Sequence, residues 1–327
     1  MLLIFYLFLF IVLFISELAY FKIADRCNII DKPNLRSSHR RITLRGGGIV
    51  FFLGIILYFL FFSFQYPLFF TGLLMITIIS FLDDIISISF KYRIAIHFFA
   101  MLIMFGDCGF YDLPWYFSFI ALIVAIGILN AFNFMDGING MTGGYSLVVI
   151  GSFAYINNII HPFVDNHLLV VTSLSILVFG FFNFRNDARC FAGDVGSISI
   201  AFIVVFLLGK LIVETAQLSY LILLAVYGLD SVLTIIHRIV LRENIFEAHR
   251  KHAYQIMANE MQIPHLRISV LYMGLQAVVS IGFLIISPRI HWYYIFGVLL
   301  LLSFLYLIFM KKYFRLHLPE MHILESE

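Results

Sequence analysis

WYFSFIALIVAIGILNAFNFMDGINGMTGGYSLVVIGSFAYINN, residues 115–158, decides the architecture. Two apolar runs, 115–131 and 142–158, flank a polar hinge, and Asp136 is the only charge in the whole stretch. A helix needs about 20 apolar residues to cross a hydrocarbon core, fewer where the span is short or broken. The pattern therefore predicts two membrane spans joined by a polar turn. The turn holds Asn130, Asn133, Asn139, Asp136 and four glycines, more amide and backbone freedom than a plain helix connection requires.

The same pattern recurs outward in both directions. Apolar runs at 2–21, 47–63, 67–82, 93–106, 167–183, 195–211, 216–236, 268–287 and 291–310 bring the total to eleven; merging one would leave ten. The 327 residues are 62% hydrophobic and 12% charged, with a mean hydropathy of +1.00. Soluble domains are roughly half apolar and about a quarter charged, so this composition excludes a water-soluble core. The expectation is an all-α polytopic integral membrane protein with about 10–11 transmembrane helices, residues 1–327 forming a single domain. No internal repeat or low-complexity segment is visible. Leu2–Tyr20 lacks a basic leader and a small-residue cleavage site, so it reads as a retained first span. Cys27, Cys108 and Cys190 show neither disulfide nor zinc spacing. A net charge of +2 says little about partners, and no nucleic-acid partner is expected.

Charge placement gives the orientation. All but two of the 21 lysines and arginines fall in the loops 22–46, 83–93, 183–194 and 237–267 or in the C-terminal tail; the exceptions are Lys210 and Arg289. Basic residues stay cytoplasmic, which puts the N-terminus outside. It also puts the polar clusters, with the hinge at 131–142, on one cytoplasmic face. A transporter would instead be expected to keep key polar groups near the midplane.

Five clusters could carry chemistry. Asp83-Asp84 closes an apolar run; adjacent carboxylates there repel, and a divalent cation or shared proton relieves them, unless the pair is simply solvated. The 130–144 hinge could read a base or sugar through its amides. Asp194, in Phe191-Ala-Gly-Asp-Val-Gly-Ser197, is either a helix N-cap or a metal ligand. His249 and His252, three apart, would share a face if helical, with Arg242, Arg250 and Lys251 adding positive charge for phosphates. The 22–48 loop sets Arg36, His39 and Arg45 beside Gly46-Gly47-Gly48, a phosphate clamp or an anionic-lipid contact.

Taken together, DKPNLRSSHRRITLRGGG, FLDD, NAFNFMDGINGMTGG, FAGDVGS and HRKHAYQ, in order between residues 31 and 255, resemble the polyprenyl-phosphate N-acetylhexosamine-1-phosphate transferases of glycosyltransferase family 4. The Arg-Ser-Ser-His and His-Arg-x-His-x-Tyr-Gln forms look most like the subgroup that initiates O-antigen synthesis. The resemblance implies transfer of N-acetylhexosamine 1-phosphate from a UDP-sugar to undecaprenyl phosphate, releasing UMP, at the cytoplasmic face of a bacterial inner membrane, in lipopolysaccharide or related cell-wall biogenesis. It implies Mg²⁺, or Mn²⁺ in its place, and is compatible with a homodimer.

By position, the resemblance assigns Asp83 and Asp84 to lipid-phosphate activation and metal handling, Asn133 and Asp136 to the catalytic stretch, and Gly137, Ile138 and Asn139 to the uridine. Phe191 would stack on uracil and Asp194 would ligate the metal. His249, Arg250 and a catalytic His252 would lie over the diphosphate and sugar. Four departures stand out: no third aspartate follows the acidic pair, Ile42 and Leu44 replace prolines, Tyr254 replaces a histidine, and RNDAR at 185–189 replaces a Pro-Ala stretch. The rival reading is a lipid-linked sugar transporter or flippase, which would lean on Glu17 and Asp230, the acidic residues in or near the spans.

Overall fold

The computed structural model describes residues 1–32, 41–244 and 249–324, and within them the chain is an all-α polytopic membrane protein. The helices are α1 (Leu2–Arg26), α2 (Ile49–Phe61), α3 (Pro67–Ile86), α4 (Phe90–Cys108), α5 (Trp115–Met135), α6 (Met141–Tyr155, extended by a π-helical turn to Ile160) and α7 (Asn166–Asn183). They continue with α8 (Gly193–Thr215), α9 (Ala225–Val240, entered through a 3₁₀ stretch at Leu218–Leu224), α10 (Ala253–Asn259), α11 (His265–Ile285) and α12 (His291–Leu324).

Every apolar run has its helix, and α10 adds one short helix in the last polar loop. Nine helices among the described residues are long and apolar enough to cross a membrane. The other two explain the difference from eleven. α2 has 13 residues, about 20 Å of helix, and is too short to cross alone. α4 has 19 residues but carries Lys91, Arg93 and Asp107. The only strands among the described residues are β1 (Ile30–Asp31) and β2 (Thr43–Leu44), an antiparallel pair in the first polar loop.

α8 is the axis of the bundle: 89% of its membrane window is buried, against 17% for α1 and 11% for α12. Lipid is as apolar as leucine, so helices in a bilayer associate through close packing and polar contacts. Small residues on α8 allow this. Thr77 of α3 and Ser199 of α8 bond at 2.9 Å, and Gly48, just before α2, lies so close to Gly196 that neither has room for a Cβ.

The helices alternate in direction, so polar ends collect at two poles. At one, Tyr58 donates to Asp165 at 3.1 Å, Phe69 N to Asp107 at 2.7 Å, and Lys210 pairs with Glu214. The ends of α1, α3, α5, α7 and α9, and the starts of α2, α4, α6, α8 and α11, meet at the other. Contacts there join the acidic pair, the 131–142 hinge, the 183–194 loop and the His segment.

Candidate active site

The site is built on the N-terminus of α8. The first amides of a helix have no partner within it. Here Asp84 supplies one from α3, its Oδ1 accepting Asp194 N at 2.9 Å and its Oδ2 accepting Val195 N at 3.0 Å. Arg45 Nε closes on Asp84 Oδ1 at 2.6 Å, and the Asp84 side chain is fully buried. Asp194 therefore does not cap the helix itself; it lies inside the first turn, with its carboxyl free to turn towards α5 and α4. The glycine triplet has a packing reason. Gly47 N donates to Phe191 O at 2.9 Å and Gly48 N to Ala192 O at 3.1 Å, bringing the first loop onto the α8 start. Burial pulls the Arg45 guanidinium down, but the Asp84 and Asp194 carboxylates more than offset it and hold its charge.

In front of this anchor lies a cavity of about 600 Å³ between α3, α4, α5, α8, α9 and the His segment. Asp83, Asn133, Asp194, His249 and His252 line it together. Asp83 Oδ1 accepts Ile88 N at 2.5 Å. Arg93 of α4 pairs with Asp83 and, at 3.2 Å, with Asp194 Oδ2, while Asn133 Nδ2 donates to Asp194 Oδ1 at 3.1 Å. Arg45 reaches Asp194 Oδ1 at 3.6 Å. Two arginines thus stand among three carboxylates.

Four further atoms of lining residues, Arg93 Nε, His97 Nε2, Ser231 Oγ and His252 Nε2, are buried without a hydrogen-bond partner among the described residues. Unpaired buried polar groups cost about 1–3 kcal/mol each, and these four belong to residues around one cavity. Phe90, Ile94, Ile198 and Ile235 line its apolar side. Sequence reasoning did not single out Arg93, His97 or Ser231; the one available signal is that Arg93 and His97 are four apart on a helix and share a face.

No group of three or more His, Cys, Asp or Glu side chains among the described residues forms a ready metal cage. Asp83 and Asp194 remain as two carboxylates facing one cavity. That donor set fits magnesium, which commonly takes one or two carboxylates and completes its shell with water and substrate phosphates.

Residues 249–252 are not helical; α10 begins at Ala253 with His252 at its N-cap. The two imidazoles still lie together, ring centroids 5.0 Å apart, against Phe134. Gln255 Oε1 accepts His252 N at 3.2 Å. Burial first, then the positive charge of its neighbours, pushes His249 down to about 3. The loop is clamped by Glu243, which pairs with both Arg238 and Lys251. Those cations outweigh burial and hold the Glu243 carboxyl low. Arg250 is half-buried and does not line the cavity.

The remaining candidates stand outside the cavity wall. Asp136 ends α5 and accepts Thr142 Oγ1 at 2.5 Å; burial pushes its carboxyl up to about 7 against that bond. Gly137 packs on the Tyr254 hydroxyl, which donates to Phe134 O at 2.7 Å. Ile138 is buried in the core. Asn139 Nδ2 donates to Arg185 O and Asn186 O, both at 2.9 Å, and Gly140 N donates to Asn183 Oδ1 at 2.8 Å. These amides brace the 183–190 loop. Phe191 is half-buried, its backbone N donating to Leu44 O. Arg36 and His39 lie outside the described residues. Of the two intramembrane acids, Glu17 is buried beside Cys190 and Asp230 lies behind His252.

Residues 66–212 match the family model described as glycosyl transferase family 4. A Bacillus subtilis (strain 168) protein described as a probable undecaprenyl-phosphate N-acetylglucosaminyl 1-phosphate transferase is 26% identical over 310 residues, 88% of this chain and 85% of its own length. The undecaprenyl-phosphate alpha-N-acetylglucosaminyl 1-phosphate transferases of Thermotoga maritima and Escherichia coli (strain K12) are 25% and 26% identical. They cover 73% and 72% of this chain, and 76% and 71% of their own lengths.

Proposed function

We propose, since the chain belongs to glycosyl transferase family 4, the polyprenyl-phosphate N-acetylhexosamine-1-phosphate transferases, that it moves N-acetylhexosamine 1-phosphate from a UDP-sugar onto undecaprenyl phosphate. UMP is released, and the product starts an O-antigen or related envelope glycan on the cytoplasmic side of the bacterial inner membrane. The observation that carries this reading is the single cavity in which Asp83, Asn133, Asp194, His249 and His252 converge around Arg93. Its apolar side, Phe90, Ile94, Ile198 and Ile235, suits the first isoprene units of a lipid carrier.

An oxygen of the lipid phosphate attacks the sugar-proximal phosphorus of the donor. The new P–O bond forms as the bond from that phosphorus to the bridging oxygen breaks, and the electron pair leaves with UMP. Both reactants are anions, so catalysis is mostly positioning and charge neutralisation. Arg93 offers its guanidinium where Asp83 and Asp194 hold it, and His252 lines the same cavity. Asp194 and Asp83 would hold Mg²⁺, or Mn²⁺, which when bound screens the diphosphate oxygens. A phosphate monoester is already largely ionised at neutral pH, so a general base on Asp83 would add little, and direct displacement is preferred over a phospho-aspartate. Trapping phosphate on Asp83 or Asp136 during turnover would reverse that preference.

The test is UMP release by the purified protein supplied with several UDP-N-acetylhexosamines, undecaprenyl phosphate and Mg²⁺. Release that needs all three components supports the proposal and identifies the sugar; no release with any donor refutes it.

A further inference from the structure

Asp230 stands one layer behind the cavity wall, in α9, with 3% of its surface exposed. Its Oδ1 lies 3.3 Å from His252 Nδ1 and accepts Ala253 N at 3.2 Å and Thr234 Oγ1 at 3.1 Å. Its Oδ2 accepts the Tyr272 hydroxyl of α11 at 2.5 Å. Thr234 in turn meets the Tyr306 hydroxyl of α12 at 2.9 Å. Side chains of α9 and α11 and the α10 backbone therefore donate to one carboxylate, with α12 held one bond further out through Thr234.

Those contacts fix the state of the imidazole. A carboxylate only accepts, so the proton on the side facing Asp230 belongs to Nδ1. The other nitrogen, Nε2, is buried, has no partner among the described residues, and belongs to a ring on the cavity wall. His252 is thus held by Asp230 on one nitrogen, and its residue lines the space shared with Asp83 and Asp194.

We propose that Asp230 is the positioning residue of His252, setting its tautomer and holding its ring in place for the phosphoryl group in transfer. The proposal rests on the reading that this cavity takes the donor diphosphate. Asp230 touches neither reactant; it acts through the histidine. Its loss therefore lowers kcat and leaves donor affinity nearly intact. Its effect also disappears once His252 has no imidazole. A purely architectural role, holding α10 through Ala253 N, predicts the opposite: equal damage whether or not the imidazole is present.

The experiment is a double-mutant cycle on the full-length protein in nanodiscs, reading kcat and KM for the UDP-sugar. Asp230→Asn keeps the size of the side chain and an acceptor for Nδ1 and Ala253 N while removing the charge. The expected result is a kcat loss of roughly 10–100-fold, the range seen when partners orienting metal-bound histidines are removed. The KM should change by less than about threefold, and the same substitution should cost under about threefold in a His252→Ala background. If Asp230→Asn does not fold, Tyr272→Phe removes the Oδ2 donor and should give a smaller kcat loss that also vanishes in the His252→Ala background. Wild-type kcat in Asp230→Asn, or equal losses in both backgrounds, would overturn the inference while leaving the transferase reading intact. An inactive wild type would instead strike at that reading.

Discussion

Asp83 and Asp84 are neighbours in sequence, yet one substitution at each should fail in opposite ways. Asp84→Asn removes one of two carboxylate oxygens that cap α8 and discharges the partner of Arg45. The new NH₂ faces a backbone N–H, leaving a buried donor unpaired at about 1–3 kcal/mol. Breaking a buried ion pair from one side costs about 3–5 kcal/mol. Arg45 is one-third exposed and keeps Asp194 at 3.6 Å, so the lower end applies and the combined loss is about 4–6 kcal/mol. At roughly 2 °C per kcal/mol, Tm falls by about 8–12 °C.

Asp83→Asn keeps an acceptor for Ile88 N, and Arg93 retains Asp194. Its stability cost should stay under about 1 kcal/mol, while kcat falls on the order of 100-fold or more as a charge on the reacting centre is lost. The assay is thermal unfolding in detergent followed by a thiol-reactive dye: Cys108 and Cys190 are buried and label only on unfolding, whereas exposed Cys27 labels at the start. Initial rates are measured on the same preparations. An Asp84→Asn protein with wild-type Tm and collapsed kcat would refute the division between anchor and reactive group.

Three further outcomes are expected. Gly48→Ala drives a Cβ into Gly196 and should cost about 1–3 kcal/mol or more, whereas Gly151→Ala, with nothing nearby, should be neutral or slightly stabilising; equal Tm values for the two would contradict the packing. Folding holds His249 near 3, below its free value of 6.5, so the unfolded chain gains a proton that the folded chain refuses and stability falls as pH drops through that window. His249→Gln should therefore flatten the decline of Tm below pH 6.5 and match the wild-type slope above it; parallel curves would refute this. Asp194→Asn should abolish turnover in a folded, inserted protein, and normal activity would remove Asp194 as the metal ligand.

Much of the architecture is legible because lipid imposes a simple rule: long apolar runs become helices, and basic residues sort between their ends. Residues 115–158 show both helices and the hinge between them. What periodicity could not supply is which side of each helix faces α8. Asp83 and Asp84 differ by one step of about 100° around a helix, enough to send one into the cavity and the other beneath the α8 N-terminus. The Asn-rich hinge divides for the same reason: Asn133 lines the cavity, while Asn139 braces the 183–190 loop. In the sequence Asp230 reads only as an intramembrane charge; its pairing with His252 depends on how the chain returns across the bundle after α9, which spacing does not encode.

The central claim is that the bond broken lies on the nucleotide side of the sugar-proximal phosphate. A donor carrying radiophosphorus at that phosphate tests it most directly, with lipid and nucleotide separated after one turnover. All label in the lipid fraction, with unlabelled UMP, is the predicted result. Label retained in UDP would mean that the sugar moves without its phosphate, and would contradict the account.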